Sequence, residues 1–317
     1  MYKRNSQSIT KAILIFRIFP WAAIILMSKS RIFAQKTAIF FYNDVYRVNL
    51  PNNHRFPMQK YYLVRSALQQ ELCNRTDVDF IVSPMATKDE LETTHCPEYI
   101  SRFVSGKLNS DENRRIGFPW SLSGVQRSTS SVGGTVAAMR SLCRNECLIS
   151  GHFAGGTHHA FYDYGEGYCV FSDIAVAANL ALNEFPNHIN QILIIDCDVH
   201  QGNGNAVLFQ NNPNVFTFSI HCKENYFSKK QLSNLDVEVP AGASDEEYMT
   251  LLQNIIPSLV QDIKPQLIFY QSGVDIHHLD RLGKLKVSLD GLSERNKLIY
   301  RTAKENEAKV VITMGGG

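Results

Sequence analysis

Two aspartates and a histidine follow a strongly apolar stretch of this 317-residue sequence, where a buried strand would end. In an extended chain Asp198 and His200 point to the same side, so their oxygen and nitrogen atoms can bind one divalent ion. Asp196 lies on that side but deeper, which suits a carboxylate that orients another histidine. The alternative interpretation is a turn at the strand end with capping carboxylates.

Two further polar segments follow other apolar runs. The loop Gly155-Gly156-Thr157-His158-His159 carries two imidazoles, which can move protons. The segment Gln271-Ser272-Gly273-Val274-Asp275 adds a second carboxylate. Two aspartates and one histidine leave a coordination position open, which is typical of a catalytic metal site. The alternatives are an incidental histidine pair on a surface loop and an aspartate that caps a helix.

These segments need a framework, and short apolar runs alternate with helical stretches along the chain. Strands are predicted at Thr37–Tyr42, Phe80–Ser83, Cys147–Ser150, Gln191–Ile195, Val215–Ile220, Leu267–Gln271 and Val310–Thr313. Helices are predicted at Met58–Leu72, Ser121–Cys143, Asp173–Glu184, Asp245–Gln261 and Leu292–Asn306. This alternation predicts a single α/β domain with a mostly parallel central sheet and helices on both faces. Ligands bind beyond the carboxyl ends of such strands, where all three polar segments fall.

The first 36 residues differ in composition from the rest of the chain. All seven charged residues there are basic, and the first acidic residue is Asp44. The apolar stretch Ile18–Met27 is interrupted by Pro20 and is shorter than the ~20 residues that a membrane span needs. We interpret residues 1–36 as a basic leader that targets the protein to an organelle or to secretion. A misassigned start codon and a disordered basic tail are the alternatives.

Charge and cysteine content exclude several classes of protein. Beyond the leader, 25 basic residues face 30 acidic residues, a net charge of −5. We therefore expect no direct binding of nucleic acid, and we expect no membrane span. The seven cysteines include no C-x-x-C pair, which argues against a disulfide framework or a zinc ribbon and favours a reducing compartment.

Together, the three polar segments resemble the motifs of the zinc-dependent histone deacetylase family. The motifs are Gly-Gly-x-His-His at 155–159, Asp-x-Asp-Val-His-x-Gly-Asn-Gly at 196–204 and Gly-Val-Asp at 273–275. Residues 113–134, 160–178 and 216–221 look like the class IV branch and its bacterial relatives. The resemblance runs from about Phe40 to the last residue. It implies a catalytic domain at 37–317 with the arginase-like fold of this family.

The resemblance also implies roles for individual residues. It implies that the zinc ligands are Asp198, His200 and Asp275. Fe²⁺ is the alternative ion. It implies tandem active-site histidines, each with a polar partner, and these pairs are His158 with Asp196 and His159 with Asn203. A channel for the acyl-lysine would be lined by Gly167 and Tyr168, with Tyr226 or Phe227 on the opposite wall. The resemblance also implies a structural K⁺ site formed by backbone oxygens around Asp196, Asp198, His200 and Ser219.

The implied activity is hydrolysis of acyl-lysine amide bonds in proteins, with histones among the substrates. We expect His159 to take a proton from the attacking water and to return one to the lysine amine, while His158 acts electrostatically. Two alternatives are open: a catalytically weakened zinc protein that binds acyl-lysine, and an amidohydrolase of small molecules such as acetylpolyamines. A two-manganese arginase is disfavoured, because the sequence lacks a matching acidic pair for a second ion.

The sequence departs from the family pattern at its end. In the family, a glycine run such as Gly315–Gly317 is followed by a tyrosine whose hydroxyl stabilises the oxyanion. We expect that this sequence is incomplete and that the tyrosine and the helices after it are missing. The weakened-catalysis alternative rests on the same observation. Acyl-chain length, and the choice between organelle, cytoplasm and nucleus, stay open.

Overall fold

A computed structural model describes residues 35–51, 54–226 and 228–317 of the chain. The predicted leader at 1–36 lies outside these residues except for its last two. The described strands are β1 Lys36–Tyr42, β2 Val78–Val82, β3 Cys147–His152, β4 Ile192–Asp196, β5 Val215–Cys222, β6 Leu235–Val239, β7 Leu267–Gln271 and β8 Lys309–Thr313. They form one sheet in the order β2-β1-β3-β8-β7-β4-β5-β6, and every neighbouring pair is parallel.

Helices connect the strands and begin at recognisable caps. The described helices are α1 Lys60–Glu71, α2 Lys88–Glu92, α3 Pro97–Val104, α4 Ser110–Ile116, α5 Leu122–Cys143, α6 Asp173–Glu184, α7 Asn203–Phe209, α8 Asp245–Ile263 and α9 Leu289–Glu305. Serine side chains accept a hydrogen bond from the first turn of α5, α6, α8 and α9, which explains why these helices start where they do. None of the described helices combines the length and the apolar character needed to cross a membrane.

The core lies in two layers, one on each face of the sheet. Along β4, Leu193 and Ile195 pack into one layer, whereas Ile192 and Ile194 pack into the other. Residues of α1, α8 and α9 close the first layer, and residues of α3, α5 and α6 close the second. Because helices cover both faces, the central strands are apolar at nearly every position. The predicted single α/β domain is confirmed, and its sheet is entirely parallel.

The structure adds elements that the sequence pattern does not predict. Strand β6, with the sequence Leu-Asp-Val-Glu-Val, lies at the edge of the sheet and lacks the continuous apolar run of a central strand. Helices α2, α3, α4 and α7 span five to eight residues, too few to show a helical repeat of apolar positions. The predicted strands and long helices agree with the structure to within a few residues.

The strand order brings together four loops that are distant in the sequence. Strands β3, β8, β7 and β4 are consecutive neighbours in the sheet. Because they are parallel, the loops that follow them all leave the same edge. The three polar segments and the glycines at 315–317 therefore meet at the carboxyl edge of the sheet.

Candidate active site

Asp198, His200 and Asp275 lie together at this carboxyl edge. His200 Nδ1 is 3.2 Å from Asp198 Oδ1 and 3.5 Å from Asp275 Oδ2. One potential ligand atom from each residue lies within 4.8 Å of those of the other two, and both carboxyl groups are buried. Within the described ranges, no other group of three or more such side chains could hold a metal ion.

Backbone donors from neighbouring loops hold the two carboxylates. Gly316 N donates to Asp198 Oδ2 at 2.8 Å, and Val199 N donates to Asp275 Oδ1 at 2.9 Å. A Cβ atom at Gly316 would lie 2.1 Å from Asp275 Oδ2, so only glycine lets the loop after β8 approach. Burial and the neighbouring charge of Asp198 raise the pKa of Asp275 to about 7. The site thus places two carboxyl groups side by side in a buried position.

The side chains of Asp198 and His200 converge through a turn. Strand β4 ends at Asp196, so the prediction of an extended chain is wrong for these two residues. Asp196 Oδ1 accepts a hydrogen bond from Asp198 N at 3.1 Å, and Asp198 Oδ1 accepts one from His200 N at 3.0 Å. Each carboxylate caps the backbone two residues ahead. The turn-capping and metal-ligand interpretations therefore describe the same segment.

His158 lies between two carboxylates. Its Nδ1 is 2.7 Å from Asp196 Oδ2, and its Nε2 is 3.9 Å from Asp198 Oδ1. Burial alone would lower the pKa of His158, but the charges of Asp196 and Asp198 outweigh it and raise the pKa to about 9. The site therefore stabilises His158 as a cation.

His159 has a neutral partner. Its Nδ1 is 2.7 Å from Asn203 Oδ1, and its ring centroid is 4.0 Å from that of His158. Burial, followed by the positive charges of His158 and His200, lowers the pKa of His159 well below its usual value. The adjacent histidines therefore differ in charge, since the site favours the neutral form of His159.

Three of the four predicted channel residues are described by the structure. Gly167 and Tyr168 form a turn with φ angles of 56° and 69°, and a positive φ is rare for tyrosine. The Tyr168 ring packs against Phe118, with centroids 5.1 Å apart. The Tyr226 hydroxyl is 3.4 Å from His159 Nδ1. Phe227 lies outside the described residues.

The family model for the histone deacetylase domain matches residues 54–317, which contain every site residue described above. The chain belongs to the histone deacetylase family. Histone deacetylases generally depend on a metal ion, and Asp198, His200 and Asp275 are the residues of this member that could hold one.

Similar proteins support this membership at different levels. An uncharacterized protein of Picosynechococcus sp. is 38% identical over 277 residues, which cover 87% of this chain and 90% of that protein. Histone deacetylase 2 of Arabidopsis thaliana is 31% identical over 59% of this chain and 48% of its own length. The acetoin utilization protein AcuC of Bacillus subtilis is 26% identical over 89% of this chain and 77% of its own length.

A solved structure confirms the fold of this histone deacetylase family member. The crystal structure of the HDA15 HD domain superimposes with a TM-score of 0.75. The match covers 89% of this chain and 83% of that one, at 19% sequence identity. The agreement shows that the eight-stranded parallel sheet with its covering helices is the histone deacetylase fold.

A buried arginine outside the motifs of this deacetylase ties two of the site loops together. Arg295 is fully buried and donates to Cys197 O at 3.2 Å and to Gly273 O at 2.7 Å. It thereby links the loop after β4 to the loop after β7. Arg295 lies three residues after Leu292 and four before Ile299, on the buried side of α9. A charged residue at that apolar spacing is the sequence signal that could have identified it.

Proposed function

We propose that this protein is a zinc-dependent hydrolase of acyl-lysine amide bonds, with Asp198, His200 and Asp275 as the metal ligands. The observation that carries the proposal is the meeting of these three side chains with His158 and His159 at one edge of the sheet. A metal-ligand set with an open position beside two histidines of different charge suits the hydrolysis of an amide.

The three ligands fit a zinc ion in chemistry and spacing. Zinc binds imidazole nitrogen and carboxylate oxygen at about 2.0–2.2 Å, so ligand atoms of a tetrahedral site lie ~3.4 Å apart. The distances from His200 Nδ1 to the two carboxylate oxygens, 3.2 Å and 3.5 Å, agree with that spacing. The same nitrogen and oxygen donors suit Fe²⁺, which is the alternative ion.

Zinc bound by these residues would supply Lewis acidity, which polarises the amide carbonyl and acidifies a nearby water molecule. His159 accepts the water proton, because burial and the neighbouring positive charge of His158 keep its ring neutral. Its Nδ1 proton is directed to Asn203 Oδ1, so Nε2 accepts the proton and later returns it to the lysine amine. His158, held positive beside Asp196, stabilises the negative charge that develops during the attack.

The substrate channel and a second ion complete the proposal. Tyr168 and Tyr226 are our candidates for aromatic walls that hold the lysine methylenes and exclude water. A structural potassium ion would bind backbone oxygens near Asp196, Asp198, His200 and Ser219. In support, Asp196 and Ser219 are direct partners in the register of β4 and β5.

Two substrate classes are candidates. Acylated lysine in proteins, histones among them, is favoured by the names of the matching family and of the Arabidopsis relative. A small acylated amine, such as an acetylpolyamine, is the second candidate, because AcuC, which aligns over 89% of the chain, is named for the use of a small molecule and not for a protein substrate. The chemistry of the site is the same for both.

The test uses the purified full chain, with bound metal measured by mass spectrometry. We expect stoichiometric zinc and hydrolysis of an acetyl-lysine peptide that is faster than hydrolysis of acetylputrescine. His159→Ala should keep the zinc and lose ~10²–10⁴ in kcat, the usual contribution of a general base. His188→Ala is the control, because His188 is exposed and lies before β4 at the opposite edge of the sheet. It should leave the zinc content and kcat unchanged.

Each result bears on a separate part of the proposal. Zinc-loaded protein that hydrolyses neither substrate, also when a tyrosine is added after Gly317, would contradict the hydrolase assignment. Faster hydrolysis of acetylputrescine would contradict the protein-lysine substrate. Full activity of His159→Ala would contradict the role of that histidine.

A further inference from the structure

A buried carboxylate lies directly behind the amide partner of His159. Glu166 is 8% exposed, and its Oε1 accepts a hydrogen bond from Asn203 Nδ2 at 3.1 Å. Its Oε2 accepts a hydrogen bond from Ser228 Oγ at 3.1 Å. Backbone hydrogen bonds in both directions between Glu166 and Cys169 hold this residue in place, at 3.0 Å and 2.9 Å. Glu166 is therefore a fixed acceptor that faces Asn203.

The position of Glu166 determines which way the Asn203 amide points. An ionised carboxylate only accepts hydrogen bonds, so the amide nitrogen must face Glu166. The amide oxygen then faces His159 Nδ1 at 2.7 Å, and it also accepts a hydrogen bond from Gly204 N at 3.0 Å. A flipped amide would bring its NH₂ group against Gly204 N and its oxygen against the Glu166 carboxylate.

The orientation of this amide in turn determines the tautomer of His159. An amide oxygen accepts, so His159 must carry its proton on Nδ1, and the Nε2 of the neutral ring then has the lone pair. The Tyr226 hydroxyl, 3.4 Å from Nδ1, can either donate or accept and does not decide between the tautomers.

The neighbouring histidine needs no such third group. The partner of His158 is the carboxylate of Asp196, and a carboxylate accepts from the ring whichever way it turns. An asparagine has one acceptor end and one donor end, and it orients a histidine only if something else orients it. This difference explains why a buried carboxylate lies behind Asn203.

We propose that Glu166 is a positioning residue, which sets the tautomer of His159 by holding the amide of Asn203 in one orientation. The proposal deepens the function proposed above and rests on it for its effect on turnover. The chain of hydrogen bonds runs from Glu166 through Asn203 to His159.

A polarity swap tests this chain of hydrogen bonds in the zinc-loaded full-length protein. Asn203→Asp alone places two carboxylates in contact, and we expect kcat to fall by ~10–100-fold, as for other residues that orient catalytic groups. Adding Glu166→Gln removes this contact between carboxylates, because its amide NH₂ can donate to the carboxylate introduced by Asn203→Asp, which accepts from His159 Nδ1 in both variants. We therefore expect Glu166→Gln with Asn203→Asp to recover at least ~10-fold over Asn203→Asp.

Glu166→Ala and a matched control complete the series. Glu166→Ala removes the acceptor that holds the Asn203 amide nitrogen and leaves only Gly204 N to orient the amide, so we expect ~10–100-fold lower kcat with unchanged zinc content. Glu246→Gln, an exposed glutamate on α8, is the control and should have wild-type activity. Thermal unfolding of each variant identifies any that fail to fold. If Glu166→Ala does not fold, Glu166→Gln replaces it, because glutamine has nearly the same shape as glutamate.

The ¹⁵N shifts of the histidine ring nitrogens give a readout that does not depend on activity. The wild type and the double variant should show His159 protonated at Nδ1, and Glu166→Ala should show a mixture of tautomers. The proposal is wrong if Glu166→Gln lowers the activity of Asn203→Asp by the same factor as it lowers that of the wild type. It is also wrong if Glu166→Ala leaves the tautomer unchanged. A wild type that hydrolyses no amide would contradict the proposed function, and the ring shifts would still test the tautomer.

Discussion

Two buried clusters of histidine and carboxylate lie near the carboxyl edge of this sheet, and they arrange their charges differently. One is the candidate active site. The other, which we call the support cluster, consists of Ser83, Thr135, His152 and Asp173, all buried. Both clusters contain a histidine and an acidic residue near a hydroxyl or amide group, so their residue types alone do not distinguish them.

In the support cluster every polar contact pairs a donor with an acceptor. Ser83 Oγ is 3.0 Å from His152 Nε2, and His152 Nδ1 is 3.1 Å from Thr135 Oγ1. Thr135 Oγ1 donates to Asp173 Oδ2 at 2.5 Å. Burial lowers the pKa of His152 to about 3, so the ring is neutral. Asp173 is the one acidic side chain of the cluster.

The support cluster also positions the tandem histidines. Asp173 accepts hydrogen bonds from Gly156 N at 2.9 Å and from Thr157 N at 2.7 Å, directly before His158 in the chain. Four donors from the backbone and from threonine hydroxyls surround this carboxylate. Its charge is therefore satisfied by protein dipoles alone.

The candidate active site differs because it places like charges together. Asp198 and Asp275 lie side by side, and a cation between them would relieve their repulsion. Burial of a histidine beside a carboxylate therefore does not by itself indicate function. What separates the two clusters is that the candidate active site holds two carboxyl groups side by side, whereas the support cluster holds one.

The largest expected effect that distinguishes the two clusters is loss of the bound metal from the candidate active site. Asp198→Asn removes a charged ligand, and we expect bound zinc to be lost and acetyl-lysine hydrolysis to fall to background. Mass spectrometry of the bound metal and the peptide assay measure the two effects. Asp262→Asn, an exposed aspartate on α8, is the control. Stoichiometric zinc in Asp198→Asn would show that the ligand assignment is wrong.

The second-largest expected effect is a loss of stability when the carboxylate of the support cluster is removed. Asp173→Ala leaves two backbone N–H groups and two threonine hydroxyls without their carboxylate acceptor, and we expect a loss of ~3–5 kcal/mol in the free energy of unfolding. Asp173→Asn keeps an acceptor oxygen and should lose less. Urea unfolding measures both, with Asp262→Ala as the surface control. Equal midpoints for Asp173→Ala and Asp262→Ala would remove the distinction between the two clusters.

The smallest effect is the pH dependence of stability from His152. The folded protein holds its pKa near 3, whereas the unfolded chain binds a proton near pH 6.5. Stability from the neutral ring is present above pH 6.5 and is lost as the pH falls towards 3. Between pH 6 and 4, His152→Gln should reduce the slope of unfolding free energy against pH by up to ~1.4 kcal/mol per pH unit.

His188→Gln, the same substitution at an exposed histidine, is the matched control for this measurement. An unchanged slope in His152→Gln would mean that the support cluster takes up a proton without unfolding. The cluster would then resemble the candidate active site more than this structure indicates.

Much of the fold could be predicted because its signals are local. Helix α6 has the predicted bounds, since Ser172 caps its start and apolar residues recur through it. Strand β6 could not be predicted in this way, because an edge strand needs no continuous apolar run. The convergence of Asp198 and His200 was predicted from an extended chain, and it occurs through a turn capped by the carboxylates of Asp196 and Asp198.

The residues that could do chemistry were identifiable without a structure, because ligand type, motif spacing and position after an apolar run are local properties of the sequence. Only the tertiary structure decided that the loops after β3, β4, β7 and β8 meet, since strand order is a long-range property of the sheet. It also placed Glu166 behind Asn203, 37 residues away, and Arg295 beneath two site loops. Such hydrogen bonds depend on positions within a few tenths of an ångström, and a local residue pattern carries no information of that kind.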